Sequence, residues 1–257
     1  MNTDTRKGIW PRFRQSWVGR WCVGIARRMI DGCVERYFNI RTGGSTGECA
    51  RGHFKDSNHY EPLDYPFLFK CIGALELKAD DVVYEIGCGM GRVVCVMARR
   101  RVARCVGIEL SDELAARARQ NVASMRGRKS PVDVHALDAT FADYSDGTAF
   151  YIFNSFGPTT LAAVLDRIRD TLRDNPRPIR VLYVNPIHED VLESAGWLGR
   201  SLQLRSKWFR MQASLWTYEP SPAASGVEVA PELQFCCDVP SVARTSATMR
   251  GGGRDGR

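Results

Sequence analysis

From residue 82 to residue 198 the chain switches repeatedly between two kinds of segment. "DVVYEIG", "ARCVGIEL", "VDVHALD", "TAFYIFN" and "IRVLYVNP" are short, apolar and rich in β-branched and aromatic residues, the character of buried strands. "GRVVCVMARRR", "SDELAARARQNVASM", "PTTLAAVLDRIRDTLRD" and "HEDVLESAGW" follow helical spacing, with Ser111 as an N-cap and Pro158 at a helix start. Parallel neighbours need a crossover long enough to hold a helix, so this alternation predicts a parallel sheet with helices on both faces. Two more strands, "SLQLRSKWF" and "ASLWTYEP", lie close enough to pair as a hairpin. The predicted fold is α/β: a doubly wound, mostly parallel seven-stranded sheet with an antiparallel closing hairpin and an N-terminal helical extension.

The chain divides into three predicted parts. Residues 1–58 form a basic helical extension, 59–219 the sheet domain, and 220–257 a disordered tail rich in Pro, Ser, Ala and Gly. In the extension, Val18, Trp21, Cys22, Ile25, Met29, Cys33 and Tyr37 recur at helical spacing over 17–38. The favoured reading is a helix that packs this apolar side on the sheet domain. The alternative is a docking surface for an anionic partner or a membrane surface. Residues 41–52 read as a Gly/Ser/Thr-rich loop, and a second helix is expected after Pro62.

Composition narrows the function classes. The 36 Lys and Arg exceed the 29 Asp and Glu by seven, and residues 1–50 hold nine of the bases and four of the acids, an excess of five. The sheet domain is therefore near neutral, which gives no sign of a wide nucleic-acid groove there. Nine cysteines include no CxxC pair and mostly sit in apolar runs, which predicts free core thiols and a cytoplasmic setting. His53, His59, His135 and His188 lack metal-ligand spacing, so no metal is expected.

In an open α/β sheet the ligand lies at the carboxyl ends of the strands. The first such end is "VVYEIGCGMGRVV", with Gly87, Gly89 and Gly91. A dinucleotide loop reads G-x-G-x-x-G, whereas here the third glycine comes one residue early and Arg92 fills its slot. Glu85 would repel a pyrophosphate and attract an ammonium. S-adenosylmethionine fits, and a nicotinamide cofactor fits least. Glu109 ends the second strand in "VGIELS", where an acid accepts hydrogen bonds from ribose hydroxyls. Asp138 in "HALDAT" reads either as a contact to an adenine edge or as a turn cap.

"VVYEIGCGMGRVV", "GIELS", "ALDAT" and "YIFNSFGP", at this spacing, resemble the successive motifs of class I S-adenosylmethionine-dependent methyltransferases over about residues 59–219. The resemblance implies cofactor contacts from Glu85, Gly87, Cys88, Gly89, Gly91, Glu109, Leu110, Asp138 and Asn154. It places the acceptor at "FNSFGP", where Asn154 presents its amide oxygen, Gly157 allows close approach, and Phe153 or Phe156 walls the pocket. The segment lacks two prolines of the Asn-Pro-Pro-aromatic motif and is closer to non-SET protein-lysine methyltransferases. In that group a Tyr-x-Pro segment covers the cofactor, which points to Tyr60, with Glu61 beside it; packing of Tyr60 ahead of a helix is the alternative.

The function expected is methyl transfer from S-adenosylmethionine to an acceptor the sequence does not identify, a protein side chain such as lysine being favoured. A small-molecule acceptor, or a cofactor-binding protein without transfer activity, are the alternatives. The setting expected is cytoplasmic, with peripheral membrane contact through the basic helix as an option.

Overall fold

The computed structural model describes residues 17–43, 60–206 and 211–221. Most of the 41–52 loop and the tail from residue 222 onward therefore lie outside the described residues. The elements run α1 (Trp17–Phe38), α2 (Tyr65–Ala74), β1 (Val82–Ile86), α3 (Arg92–Met97), β2 (Arg104–Glu109), α4 (Asp112–Ser124) and β3 (Val132–Ala136). A 3-10 turn (Ala139–Phe141) precedes β4 (Ala149–Phe153), α5 (Pro158–Asp174), β5 (Ile179–Val184), α6 (Glu189–Ala195), β6 (Gly199–Arg205) and β7 (Gln212–Tyr218).

The seven strands form one sheet in the order β3-β2-β1-β4-β5-β7-β6. Strands β1 to β5 are parallel, and β7 runs antiparallel between β5 and β6. The chain direction across the sheet reverses between β1 and β4, the switch point at which such sheets open a crevice. Side chains of β1 alternate between two cores. Val83 joins the layer under α1 to α4 with Leu68, Val94, Met97 and Tyr151. Tyr84 and Ile86 join the layer under α5 with Phe150, Leu161, Val164 and Ile168.

Helix starts follow local chemistry. Ser111 accepts from the Leu114 amide at 3.4 Å and caps α4. Helix α2 starts at Tyr65 rather than directly after Pro62: Asp64 accepts from the Phe67 amide at 3.0 Å, and Pro66 occupies the first turn, where its missing N–H costs nothing.

The packing face of α1 differs from the expected one. Trp21, Ile25, Met29 and Tyr37 are exposed, and so are Cys22 and Cys33. The inward side carries Arg27, Asp31, Val34, Glu35 and Phe38. Polar residues win this face because a buried cation receives them. Arg92, 3% exposed at the start of α3, donates to Asp31 at 3.2 Å, Glu35 at 3.0 Å, Thr42 Oγ1 at 2.8 Å and the Leu63 carbonyl at 2.6 Å. Its guanidinium also lies 4.4 Å from the centre of the Tyr65 ring.

Candidate functional site

The loop between β1 and α3 is built so that neighbours come very close to its backbone. Gly87, Gly89 and Gly91 all have positive φ, at 79°, 53° and 81°, a region costly for residues with a Cβ. A Cβ on Gly87 would stand 2.2 Å from Ser155 Oγ, and one on Gly89 would stand 2.3 Å from the Tyr60 ring. On Gly91 it would stand 3.1 Å from Ala118 of α4. The first glycine thus admits the residues after β4, the second admits Tyr60 as a roof, and the third lets α4 close. Cys88 fills the space over Gly107, where a Cβ would lie 2.9 Å from its sulfur. Burial holds its thiol well above the ordinary range.

Two carboxylates stand around this loop. Glu85, 4% exposed near the end of β1, accepts from the Val94 amide at 2.6 Å. Gly91 precedes α3 and has no side chain to cap it, so Glu85 supplies that acceptor from below. Burial pushes the Glu85 carboxyl well above its ordinary value; the Val94 amide opposes this and the Glu109 charge reinforces it. Glu109 is 9% exposed at the end of β2. One of its oxygens accepts from the Gly89 amide at 2.7 Å and the other from the Ser111 amide at 3.0 Å. Burial raises its pKa against those amides. Each carboxylate oxygen has a second lone pair, so these bonds leave acceptor capacity for a ligand hydroxyl. Among the described residues neither carboxylate has a lysine or arginine partner.

The other sequence candidates sort around this centre. Tyr60 lies over Gly89 and donates its hydroxyl to the Thr42 carbonyl at 2.7 Å; burial raises its pKa. Glu61 is exposed and Leu110 half-buried. Asp138 caps the 3-10 turn: its Oδ1 accepts from both the amide and the hydroxyl of Thr140 at 2.8 Å. Asn154 follows β4 with φ 38°, and its Oδ1 accepts from the Tyr183 hydroxyl at 3.5 Å. Phe156 is buried, while Phe153 is half-buried. Hence Glu85, the glycine loop, Glu109, Tyr60 and the residues after β4 converge at the switch point.

Three residues that hold this arrangement were not singled out from sequence. Ser155 donates its hydroxyl to the Ile86 carbonyl at 3.0 Å and seats against Gly87. Asn121 of α4 donates to the Met90 carbonyl at 2.8 Å and pairs with both backbone groups of Arg41, at 2.8 and 3.0 Å. It ties the glycine loop to the segment that follows α1. Arg92 was noted only as a departure from the dinucleotide pattern. The signal for Arg92 was Asp31 and Glu35, two acids four apart on a helix otherwise rich in arginine. Ser155 and Asn121 had none.

Among the described residues no group of three or more His, Cys, Asp or Glu side chains is placed to hold a metal ion. No described helix is long and apolar enough to cross a membrane. Cys71, Cys88, Cys95 and Cys105 are buried free thiols.

Residues 83–175 match the model of a family described as a methyltransferase domain. A curated relative, a protein-lysine N-methyltransferase of Saccharolobus islandicus (strain REY15A), is 28% identical over 98 residues. That stretch is 37% of this chain and 61% of the relative, so the chain spans about three-fifths of the relative's length. Among solved structures, a SAM-dependent O-methyltransferase of Thermotoga maritima aligns with a TM-score of 0.51 and 16% identity, over 63% of this chain and 68% of its own. An RNA methyltransferase of Salinibacter ruber, solved with S-adenosyl-L-homocysteine, aligns with a TM-score of 0.48 and 22% identity over 63% of this chain and 95% of its own. The sheet domain has the fold of class I S-adenosylmethionine-dependent methyltransferases, and it is residues 83–175 that match the methyltransferase-domain model.

Proposed function

We propose that this chain is a methyltransferase that uses S-adenosylmethionine and acts on a protein lysine side chain. The observation that carries the cofactor reading is the pair of buried acids, Glu85 and Glu109, set around a glycine loop without a basic partner among the described residues. Burying uncompensated carboxylates is costly. A ligand that brings an ammonium to one and hydroxyls to the other offsets that cost; a pyrophosphate would add to it.

In this reading Glu85 faces the α-ammonium, and Gly87, Cys88, Gly89 and Gly91 line the amino-acid moiety. Glu109, with Leu110 beside it, takes the ribose hydroxyls, and Asp138 lies by the adenine. Bound there, the cofactor supplies a sulfonium methyl carbon already activated for displacement. What remains for the protein is alignment and exclusion of water, and alignment alone can supply on the order of 7–11 kcal/mol. Tyr60 roofs the loop, and Asn154 at the end of β4 orients the acceptor amine through its amide oxygen.

Lysine as acceptor is supported by the similarity to a protein-lysine methyltransferase and by the "FNSFGP" segment. A small-molecule acceptor is the second reading, favoured by the near-neutral net charge of residues 59–219 and by the departure of "FNSFGP" from a defined acceptor motif. The buried free thiols support a cytoplasmic setting. The test is transfer of labelled methyl from the cofactor into fractionated lysate. Label in protein, recovered as methyl-lysine after hydrolysis, supports the proposal. Label only in small molecules removes lysine, and no label in any fraction removes transfer.

A further inference from the structure

Helix α1 has an unusual division of its side chains. Its two acids, Asp31 and Glu35, both turn inward to the buried Arg92 guanidinium. Its outward side is left with cations and apolar groups. Trp21, Met29 and Tyr37 are 61%, 66% and 67% exposed, and Ile25 and Ile30 are exposed between them. Positions 21, 25, 29, 33 and 37 are four apart, so each lies about 40° further round the helix than the last, and together they sweep across its outward half. Arg28 and Arg36 are exposed on the same element. Aligned apolar side chains of this size rarely face water without a partner.

The cationic character continues beyond the helix. A cleft of about 900 Å³ opens beside the C-terminal half of α1, lined by Arg36, Arg41, Arg117 and Arg126. Arg117 pairs with Glu113 at 3.4 Å. Among the described residues Arg36, Arg41 and Arg126 have no acidic partner. The one acid lining the cleft, Glu35, already accepts from Arg92 and Thr42.

We propose that the outward side of α1, with the arginine cleft beside it, docks on an anionic lipid surface. Apolar groups interleaved with cations, and no acid on the exposed side, match a layer of acyl chains below negative headgroups. Nucleic acid or an acidic peptide would use the arginines but leave Ile25, Met29 and Ile30 without a role. The helix lies in the plane of the surface, its apolar row entering the headgroup boundary. Arg28, Arg36 and the cleft reach the headgroup phosphates. The inference does not rest on methyl transfer, because its readout is binding.

The experiment is co-sedimentation of the full chain with vesicles of phosphatidylcholine alone or mixed with phosphatidylglycerol, at low and high salt. Binding is expected only to the mixed vesicles and should weaken with salt. Arg36→Glu should weaken it by about fivefold or more, since each arginine near such a surface contributes ~1 kcal/mol. Trp21→Ser combined with Met29→Ser should weaken it at least about tenfold, with an unchanged melting temperature, because these side chains face solvent. Equal binding to neutral vesicles, no binding to either, or tighter binding to single-stranded RNA at the same salt would overturn the proposal. So would a dimer, seen by ultracentrifugation and lost in the double variant, without vesicle binding.

Discussion

Replacing Arg92 with methionine tests how α1 is joined to the glycine loop. Methionine keeps an unbranched stem of similar length and removes every donor. Four protein oxygens lose the Arg92 donor, one each from Asp31 and Glu35, Thr42 Oγ1 and the Leu63 carbonyl, while Glu35 keeps its bonds from Thr42 and Asp31 its pair with Arg27 at 3.8 Å. Removing one member of a buried ion pair costs ~3–5 kcal/mol, mostly for the charge left behind. Asp31 and Glu35 retain 16% and 17% side-chain exposure, so water relieves part of that cost. The lower end, ~3 kcal/mol, is the expected loss in urea unfolding of the full chain. A second variant separates charge from packing. Adding Asp31→Asn and Glu35→Gln to Arg92→Met removes the stranded charges and should recover ~1 kcal/mol or more. A loss below about 1 kcal/mol for Arg92→Met, or no recovery in the triple variant, would refute the claim that buried charge holds α1 in place.

Three further outcomes follow from the site. Gly89→Ala puts a methyl group 2.3 Å from the Tyr60 ring at φ 53°, so it should displace Tyr60 and weaken S-adenosylhomocysteine binding by at least about tenfold; calorimetry reads this. Glu109→Ala should weaken the same binding by ~1–3 kcal/mol, since it removes acceptors for the ribose and releases the Gly89 amide. The third outcome concerns pH. The Glu85 carboxyl lies well above its ordinary value of 4.5 when free, because burial favours its neutral form. Since its folded pKa is the higher one, its contribution to stability falls as pH rises above that ordinary value. A cationic ligand favours the ionised form, so binding releases a proton. Affinity for the cofactor should therefore rise with pH until the free-state pKa is passed, and Glu85→Gln should flatten the profile.

Much of this architecture was legible because it depends on local periodicity. The strand and helix segments from 82 to 218 follow the order that apolar runs and helical spacing gave them, although the helix read over 91–101 ends at Met97 and residues 207–209 of "SLQLRSKWF" lie outside the described residues; Ser111 and Pro158 begin the helices that they were expected to begin. The placement of Glu85 and Glu109 beside the glycine loop was legible because each lies at or near the carboxyl end of an adjacent predicted strand. The orientation of α1 was not legible. Hydrophobic spacing favoured Trp21, Ile25 and Met29 as the buried row, but Asp31 and Glu35 found Arg92 at separations of 61 and 57 residues. Periodicity carries no information about pairing over that distance. Asn121 and Ser155 escaped notice for the same reason: each acts on backbone carbonyls of the glycine loop or of the strand before it, 31 and 69 residues away. Asp138 makes the local bonds to Thr140 that the turn-cap reading of "HALDAT" calls for.

The central claim is that two buried acids and a glycine loop select a sulfonium cofactor over a dinucleotide. Calorimetric titration of the full chain with S-adenosylmethionine and, separately, with NAD measures that selection directly. Saturable heat with the first and none with the second is the predicted result. Saturable binding of NAD, with none of S-adenosylmethionine, would contradict the account.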